Sequence, residues 1–403
     1  MTLYLGDRSG KTWGARAYDL LFALFIFLIP ISQRLSAGAL VLLVVVTPFA
    51  VERRKWIEGV LASWDLLVYF AVLAIGLFYS TDLPQGLRVL ETSLSLLAVS
   101  FVVGFFSREI DLKTGILYPF AAGLWAAGAI CLFRAGQAYF GGAGVEVFFF
   151  ERFTSAIDTQ PTYFAYTLIV GITAALYVLH YDERKPTVIM ILTLAFLMFI
   201  LLLTGGQTTF ISLQMILAFF LLKFFLGERT RENMILFLLV LAMVACVFLY
   251  TFQLRTRPEF NTVRDQNDYW ERSVLWESAL RANRDILLGV GTGDYNLVLN
   301  EYYRDHNLGS FAARNTNAHN QYLQSYFMNG VLGLLALLLA LARPLYLYAR
   351  RGSPLGILMI FPFVVYGVTE VFLGRYQGVV LFAVLHQWVI ARYYSEESKL
   401  FRG

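Results

Sequence analysis

One histidine stands where a polar segment, residues 315–324, meets an apolar run that begins at residue 328. This residue is His319. Its imidazole can take up a proton near neutral pH, so His319 could act as a general base on a hydroxyl group. A base at such a boundary could serve a membrane-bound and a soluble reactant together. The alternative is an interfacial histidine that only anchors a helix, and position alone does not separate the two.

A metal site is the competing interpretation of this region. His306 lies beside Asp305, and Asp265 and Asp268 come earlier in the same polar stretch. No HExxH or DxD spacing occurs there, which argues against a metal. We interpret His306 as a solvated loop residue and expect chemistry without a metal or other cofactor.

Arginine is the other residue type suited to chemistry, because its planar guanidinium binds phosphate oxygens in pairs. In the membrane topology that the charges of the chain predict, all lysines lie on the cytoplasmic side and every basic residue on the outer side of the membrane is arginine. Arginine also greatly outnumbers lysine in the whole chain. Arg152 follows the aromatic run 148–150 at an expected membrane boundary, where a phosphate group is a natural counter-ion. An ion pair with Glu146 or Glu151 is the alternative.

A glycine-rich segment, residues 289–294, superficially resembles a phosphate-binding loop. No strand pattern precedes it, and nucleotides are absent outside the membrane, so nucleotide binding is disfavoured. A tight turn with close backbone packing is the favoured interpretation, although its amide groups could still hold an anion.

The elements that position these residues follow from composition. The chain has 403 residues, of which 58% are hydrophobic and 15% charged. The mean hydropathy is +0.62. Such a chain cannot be a soluble enzyme, a disordered chain or a fibrous protein, and a small net charge of +4 gives no indication of nucleic-acid binding. The apolar runs do not alternate as β-barrel strands would, so we predict an all-α, polytopic integral membrane protein.

Twelve apolar runs predict about twelve transmembrane helices. They are residues 17–31, 37–51, 62–79, 87–106, 115–138, 161–180, 187–204, 208–226, 233–252, 328–347, 355–373 and 376–393. The first run could also be a cleaved signal peptide, but it ends in Pro30 without a clean small-residue site, which favours a retained helix. Cys131 and Cys246 both lie in apolar runs, which favours buried thiols over a disulfide.

The distribution of lysine and arginine predicts cytoplasmic termini and one long periplasmic loop between the ninth and tenth spans. The chain then divides into helices 1–9 (1–252), the loop (253–327), and helices 10–12 with a tail (328–403). Within the loop, residues 268–287 predict an amphipathic helix that lies along the membrane or over the bundle, with Trp270, Val274, Leu280 and Leu287 near one face.

For two polar residues in the last predicted spans, structural roles are favoured over functional ones. Glu370 is close in sequence to Arg375, so a structural ion pair is expected. His386 lies inside the twelfth run, where a hydrogen-bonded packing residue is favoured over a proton pathway.

Four motifs in order resemble the O-antigen ligase and polymerase superfamily. They are Arg272-x-x-x-Trp276, the glycine-rich segment, residues 317–323 and residues 330–334. The resemblance covers the long loop and the span after it. It implies a GT-C-like glycosyltransferase that moves glycan from undecaprenyl pyrophosphate to an acceptor hydroxyl on the periplasmic face, without a metal. In ligases of this family, the acceptor is a lipid A core sugar.

The resemblance also assigns roles to residues. His319 matches the essential histidine and Arg272 the loop arginine implicated with the pyrophosphate. Asn320, in the same motif, is expected to bind substrate. Gln207 occupies a position where the family commonly has arginine, so another arginine must compensate. The candidates are Arg152, Arg264 and Arg314.

The chemistry agrees with this family. No ATP is available outside the membrane, so a transfer there needs a preactivated donor such as a glycosyl pyrophosphate. Arginines would stabilise the leaving group and a histidine would activate the acceptor. The prediction is an O-antigen ligase of the bacterial inner membrane, surrounded by membrane lipids. A polymerase of the same superfamily is the first alternative, and a lipid-linked glycan transporter is an alternative of another class.

Overall fold

The described part of this computed structural model comprises residues 13–50, 53–106, 113–157, 159–181, 187–205, 207–226, 231–256, 268–351 and 354–400. Within these ranges the chain forms helices joined by turns and contains no strand. The prediction of an all-α protein is confirmed for them.

The α-helices, numbered along the chain, overlap every apolar run predicted to span a membrane. They are α1 (Trp13–Leu28), α2 (Gln33–Ala50), α3 (Arg53–Ala62), α4 (Trp64–Leu77), α5 (Leu83–Phe106), α6 (Tyr118–Phe140), α7 (Phe150–Thr154), α8 (Pro161–Tyr181), α9 (Thr187–Thr204), α10 (Gln207–Leu226), α11 (Arg231–Thr256), α12 (Asp268–Ala282), α13 (Tyr295–Asp305), α14 (Gly309–Ala313), α15 (Gln321–Arg350), α16 (Pro354–Gly367) and α17 (Tyr376–Leu400).

Among the described residues, five helices are long and apolar enough to cross a membrane. Their apolar ranges are Gln33–Ala50, Leu83–Val103, Gly115–Phe140, Pro161–His180 and Gln321–Arg350. Six further apolar helices within the described ranges are shorter. Large apolar side chains such as Phe49 and Phe133 point outward, with 87% and 64% of their surface exposed. These features indicate a polytopic membrane protein, whereas the count of twelve spans and their orientation stay predictions.

The bundle core joins the beginning of the chain to its end. Helix α17 packs on α5, and α15 packs on α4 and α16. Phe22 and Phe25 of α1 are buried in the same core. Neither cysteine forms a disulfide, as predicted. The prediction that both thiols are buried is correct for Cys131 and wrong for Cys246, which is exposed.

A buried ion cluster joins α4, α15 and α17. Asp65 accepts a hydrogen bond from Arg343 Nη1 at 2.6 Å through Oδ1, and its Oδ2 lies 2.7 Å from His386 Nε2. Asp65 and His386 are fully buried. The prediction that His386 is a hydrogen-bonded packing residue is therefore confirmed.

The loop helices α12, α13 and α14 have a small core of their own, which includes Leu275, Leu299 and Phe311. The predicted helix 268–287 was too long, because α12 ends at Ala282. Its predicted apolar face was wrong for three of its four members: Trp270, Leu280 and Leu287 are more than half exposed. Val274 packs against the loop core as predicted, on the side of the buried Leu275. Small residues on that face, such as Ala279, allow α12 to pack closely on α13 and α15.

Helix α15 is broken at Asn329 and Gly330, and Gly330 has a φ of 60°. The glycine-rich segment fills this break. Val290 N and Gly291 N donate to the carbonyls of Phe327 and Met328 at 2.9 and 2.8 Å. A Cβ at position 330 would lie 2.2 Å from the Leu287 carbonyl, so only glycine fits. The favoured interpretation, close backbone packing, is confirmed.

The other amides of this segment bind the turn between α4 and α5. Thr292 N donates to Gly76 O, and Gly293 N donates to Ser80 Oγ at 2.9 Å. The Asp294 carboxylate accepts from the amides of Thr81 and Asp82. Since the amides of residues 290–293 already have partners, the expectation that they could hold an anion was wrong.

Candidate functional site

His319 has an unusual backbone conformation, with a φ of 43°. Non-glycine residues rarely adopt this region, and such strain often occurs at functional sites. Its amide donates to Asn317 Oδ1 at 2.9 Å, and Ala318 beside it is fully buried. The motif therefore holds the histidine in one fixed orientation at the start of α15.

The His319 side chain faces Glu370, which lies in the connection between α16 and α17. His319 Nδ1 and Glu370 Oε2 are 3.4 Å apart, with 39% and 14% of the two side chains exposed. The expected ion pair between Glu370 and Arg375 was wrong, since the carboxylate is turned toward the histidine. Glu370 was not predicted from the sequence as a residue of this site.

Glu370 is held in its ionised form. It lies beyond the end of α16 at Gly367, so it is outside the apolar helix, although the predicted run extended to residue 373. Burial alone would raise the pKa of this carboxyl group. The close contact with His319 and the charge of that histidine, the hydrogen bond from the Val371 amide and the charge of Arg272 outweigh burial and lower the pKa of Glu370. A carboxylate in this position can orient the imidazole and stabilise its protonated form.

Arg272 belongs to the same cluster. It lies in the first half of α12 and is half-buried, and its charge acts on Glu370. Helix α12 packs on α15, which begins directly after His319 and Asn320. Two of the predicted site residues, Arg272 and His319, thus act on the same carboxylate, Glu370.

The residues after the histidine fix the start of α15. Asn320 is buried and is the N-cap, since its Oδ1 accepts from Leu323 N at 3.0 Å. Gln321 Oε1 accepts from Leu373 N, and Tyr322 donates its hydroxyl to Val364 O, both at 2.8 Å. Asn320 therefore has a capping role, and its contact with substrate stays a prediction without support from this geometry.

Two of the other predicted donor-binding residues, Arg152 and Arg314, pair with carboxylates. Arg152 pairs with Glu146 at 2.6 Å, which is the alternative considered from sequence. Arg314 pairs with Glu271 at 3.3 Å. Arg264 lies outside the described residues, and Gln207 begins α10, but its side chain is outside the described part.

His306 is a loop residue, as predicted. Its ring stacks on Tyr302 with the centroids 3.9 Å apart, and Nδ1 lies 2.8 Å from Tyr302 O. In the described ranges, no three His, Cys, Asp or Glu side chains converge to form a metal site.

Residues 191–338 match the O-antigen ligase family. This confirms the resemblance to the O-antigen ligase and polymerase superfamily. The matched range contains Arg272, the glycine-rich segment and His319, but not Glu370. An uncharacterized protein of Haemophilus influenzae is 22% identical over 385 residues, which cover 88% of this chain and 86% of that protein. The match to O-antigen ligases, together with the apolar helices, indicates a membrane enzyme of glycan transfer.

Proposed function

We propose that this protein is an O-antigen ligase that transfers glycan from undecaprenyl pyrophosphate to a hydroxyl group of a lipid A core sugar. The observation that carries the proposal is the His319–Glu370 pair, held by a strained backbone and flanked by Arg272. The site then lies on the periplasmic side of the bacterial inner membrane, and both termini are cytoplasmic.

In this mechanism His319 is the general base. Nδ1 faces Glu370, which leaves Nε2 to accept the proton of the acceptor hydroxyl. The hydroxyl oxygen forms a bond with the anomeric carbon as the bond from that carbon to the pyrophosphate oxygen breaks. The electron pair of the broken bond stays with the pyrophosphate. Glu370 stabilises the imidazolium that forms, as the carboxylate does in other histidine-based sites.

Arg272 stabilises the leaving group. The pyrophosphate gains negative charge during bond cleavage, and a guanidinium group can bind two of its oxygens at once. Helix α12 is docked on the helix that follows His319, so leaving-group and acceptor sites are held by packed elements. No step in this mechanism requires a metal.

The ligase and the polymerase of this superfamily share the transfer chemistry and differ in the acceptor. Deletion of the gene followed by gel analysis of lipopolysaccharide separates them. Loss of a ligase leaves bare core and accumulates lipid-linked polymer. Loss of a polymerase leaves core capped with a single repeat unit, and this result would replace our proposal with the polymerase.

A transporter of lipid-linked glycan would move the donor without forming a bond. The purified protein, supplied with labelled donor and acceptor in the absence of ATP, tests this alternative. Formation of the glycosidic bond supports the enzyme. Movement of the donor across a vesicle membrane without bond formation would contradict it.

A further inference from the structure

Arg375 lies directly before α17, in an extended conformation with φ −137° and ψ 147°. Its side chain is exposed, and its guanidinium carbon lies 5.9 Å from the centroid of the Tyr163 ring. In the described part of the chain, no carboxylate lies within ion-pair distance of Arg375. This distinguishes it from Arg152 and Arg314, whose charges are matched by Glu146 and Glu271.

Tyr163 connects Arg375 to the histidine site. The Tyr163 hydroxyl donates to Val371 O at 2.8 Å, and Val371 is the residue after Glu370. The charges of Glu370 and Arg375 both act on Tyr163. Arg375 and Arg272 are therefore two cations close to the Glu370–His319 pair.

A buried hydroxyl near these charges has no partner. Tyr366 is 1% exposed, and its hydroxyl makes no hydrogen bond to any described residue. The Tyr366 ring lies edge-on to the Tyr163 ring with the centroids 6.3 Å apart, and the Glu370 amide donates to the Tyr366 carbonyl at 3.0 Å, so the phenol lies beside the cluster. Its ring stacks on Tyr166 at 4.3 Å, so the phenol is rigidly held. Buried hydroxyl groups usually form a hydrogen bond, and this one is able to donate to an oxygen of a bound ligand.

The charges of the transfer reaction require more than one cation. A pyrophosphate diester carries roughly two negative charges, and cleavage of the glycosidic bond adds one more. The Glu370 carboxylate beside it adds to the repulsion. Arg272 and an imidazolium at His319 alone would leave this site negative, in surroundings where unpaired charge is costly.

We propose that Arg375 and the Tyr366 hydroxyl form a second phosphate-binding element, which holds the donor's pyrophosphate together with Arg272. This inference rests on the proposed function and goes beyond it. Arg375, which directly precedes α17, would then supply the positive charge that Gln207 does not provide. The guanidinium binds phosphate oxygens in a charge-assisted manner, and the phenol donates a hydrogen bond.

The test measures binding of inorganic pyrophosphate by thermal protection, together with KM and kcat for the lipid-linked donor. Arg375→Gln should weaken pyrophosphate binding by about tenfold or more and lower kcat/KM for the donor. Arg375→Lys should restore part of the binding. Tyr366→Phe keeps the stacked ring and should weaken binding by a smaller factor.

Arg284→Gln is the matched control, because Arg284 is an exposed loop arginine that pairs with Glu301. It should leave pyrophosphate binding unchanged within about twofold, as expected for surface pairs. An equal loss of pyrophosphate binding in Arg284→Gln and Arg375→Gln would show that Arg375 acts only through long-range electrostatic attraction, and this would overturn the inference. Unchanged binding and kinetics in folded Arg375→Gln, in a protein that transfers glycan, would also overturn it. Pyrophosphate binding through Arg375 without any glycan transfer would support the anion site and contradict the proposed function instead.

Discussion

At the scale of residues, the site depends on the orientation of one imidazole. The backbone strain at His319, the hydrogen bond from its amide to Asn317 Oδ1 and the contact of its side chain with Glu370 all fix this residue. A histidine that only anchored a helix would not need a left-handed conformation, since the cap is supplied by Asn320. The strain therefore favours a functional role for His319.

Removal of the Glu370 charge should slow the chemical step. In Glu370→Gln we expect kcat to fall by roughly tenfold or more with little change in KM for the acceptor, because the imidazolium loses its counter-charge. Steady-state rates with purified protein measure this. Glu301→Gln, at an exposed carboxylate of the loop, is the control. A rise in KM alone would show that Glu370 binds substrate and does not assist the base.

The same carboxylate predicts a dependence of stability on pH. The pKa of Glu370 is lowered in the folded protein, so its stabilising contribution is present above the unfolded value of about 4.3 and is lost as the pH falls through the folded value. The difference in unfolding temperature between the wild type and Glu370→Gln should therefore be larger at neutral pH than near pH ~3. A difference that increased on acidification would contradict the lowered pKa.

At the scale of elements, two sets of contacts fix the helices that position the site. The glycine-rich segment connects the broken helix α15 to the turn between α4 and α5, and the Asp65–Arg343–His386 cluster ties α4, α15 and α17 together in the core. His319 lies just before α15, and Glu370 lies before α17. Displacement of either helix would separate the two groups.

Substitution of Gly330 should damage both stability and activity. Gly330→Ala must adopt a positive φ and places a Cβ 2.2 Å from the Leu287 backbone, which we expect to cost about 2 kcal/mol or more of unfolding free energy. Thermal unfolding of the purified variants in detergent measures this loss of stability. The control is Gly136→Ala in α6, where a Cβ would meet nothing within 4 Å. Equal stability of the two variants would show that the packing at the break is not as close as described.

The buried ion cluster should be sensitive to the loss of one partner. Asp65→Asn leaves Arg343 buried without its charge partner and should destabilise the protein by about 3 kcal/mol. Asp65→Asn with Arg343→Met removes both charges and should recover much of this loss. Unfolding of the single and double variants measures the coupling. A double variant less stable than Asp65→Asn would contradict the coupling.

At the scale of the whole molecule, the sequence predicts the helices better than their contacts. The apolar runs correspond to helices because length and hydropathy are local properties. The face of α12 could not be predicted, since burial there depends on small residues that fit α13 and α15. The sequence motifs indicated His319 and Arg272 as site residues. The contact between His319 and Glu370 could not be predicted, because the two residues lie in different connections between helices. Arg375, which is nearer to Glu370 in the sequence, was therefore wrongly predicted as its partner.

Glycan transfer by purified protein tests the central claim most directly. The assay contains labelled undecaprenyl pyrophosphate-linked donor, lipid A core acceptor and excess EDTA, without ATP. We predict transfer by the wild type and by His306→Ala, and a loss of about 10²-fold or more in His319→Ala that is correctly folded. Near-wild-type transfer by His319→Ala with loss in His306→Ala would contradict the assignment of the base. Activity that required added magnesium or manganese would contradict the metal-independent mechanism.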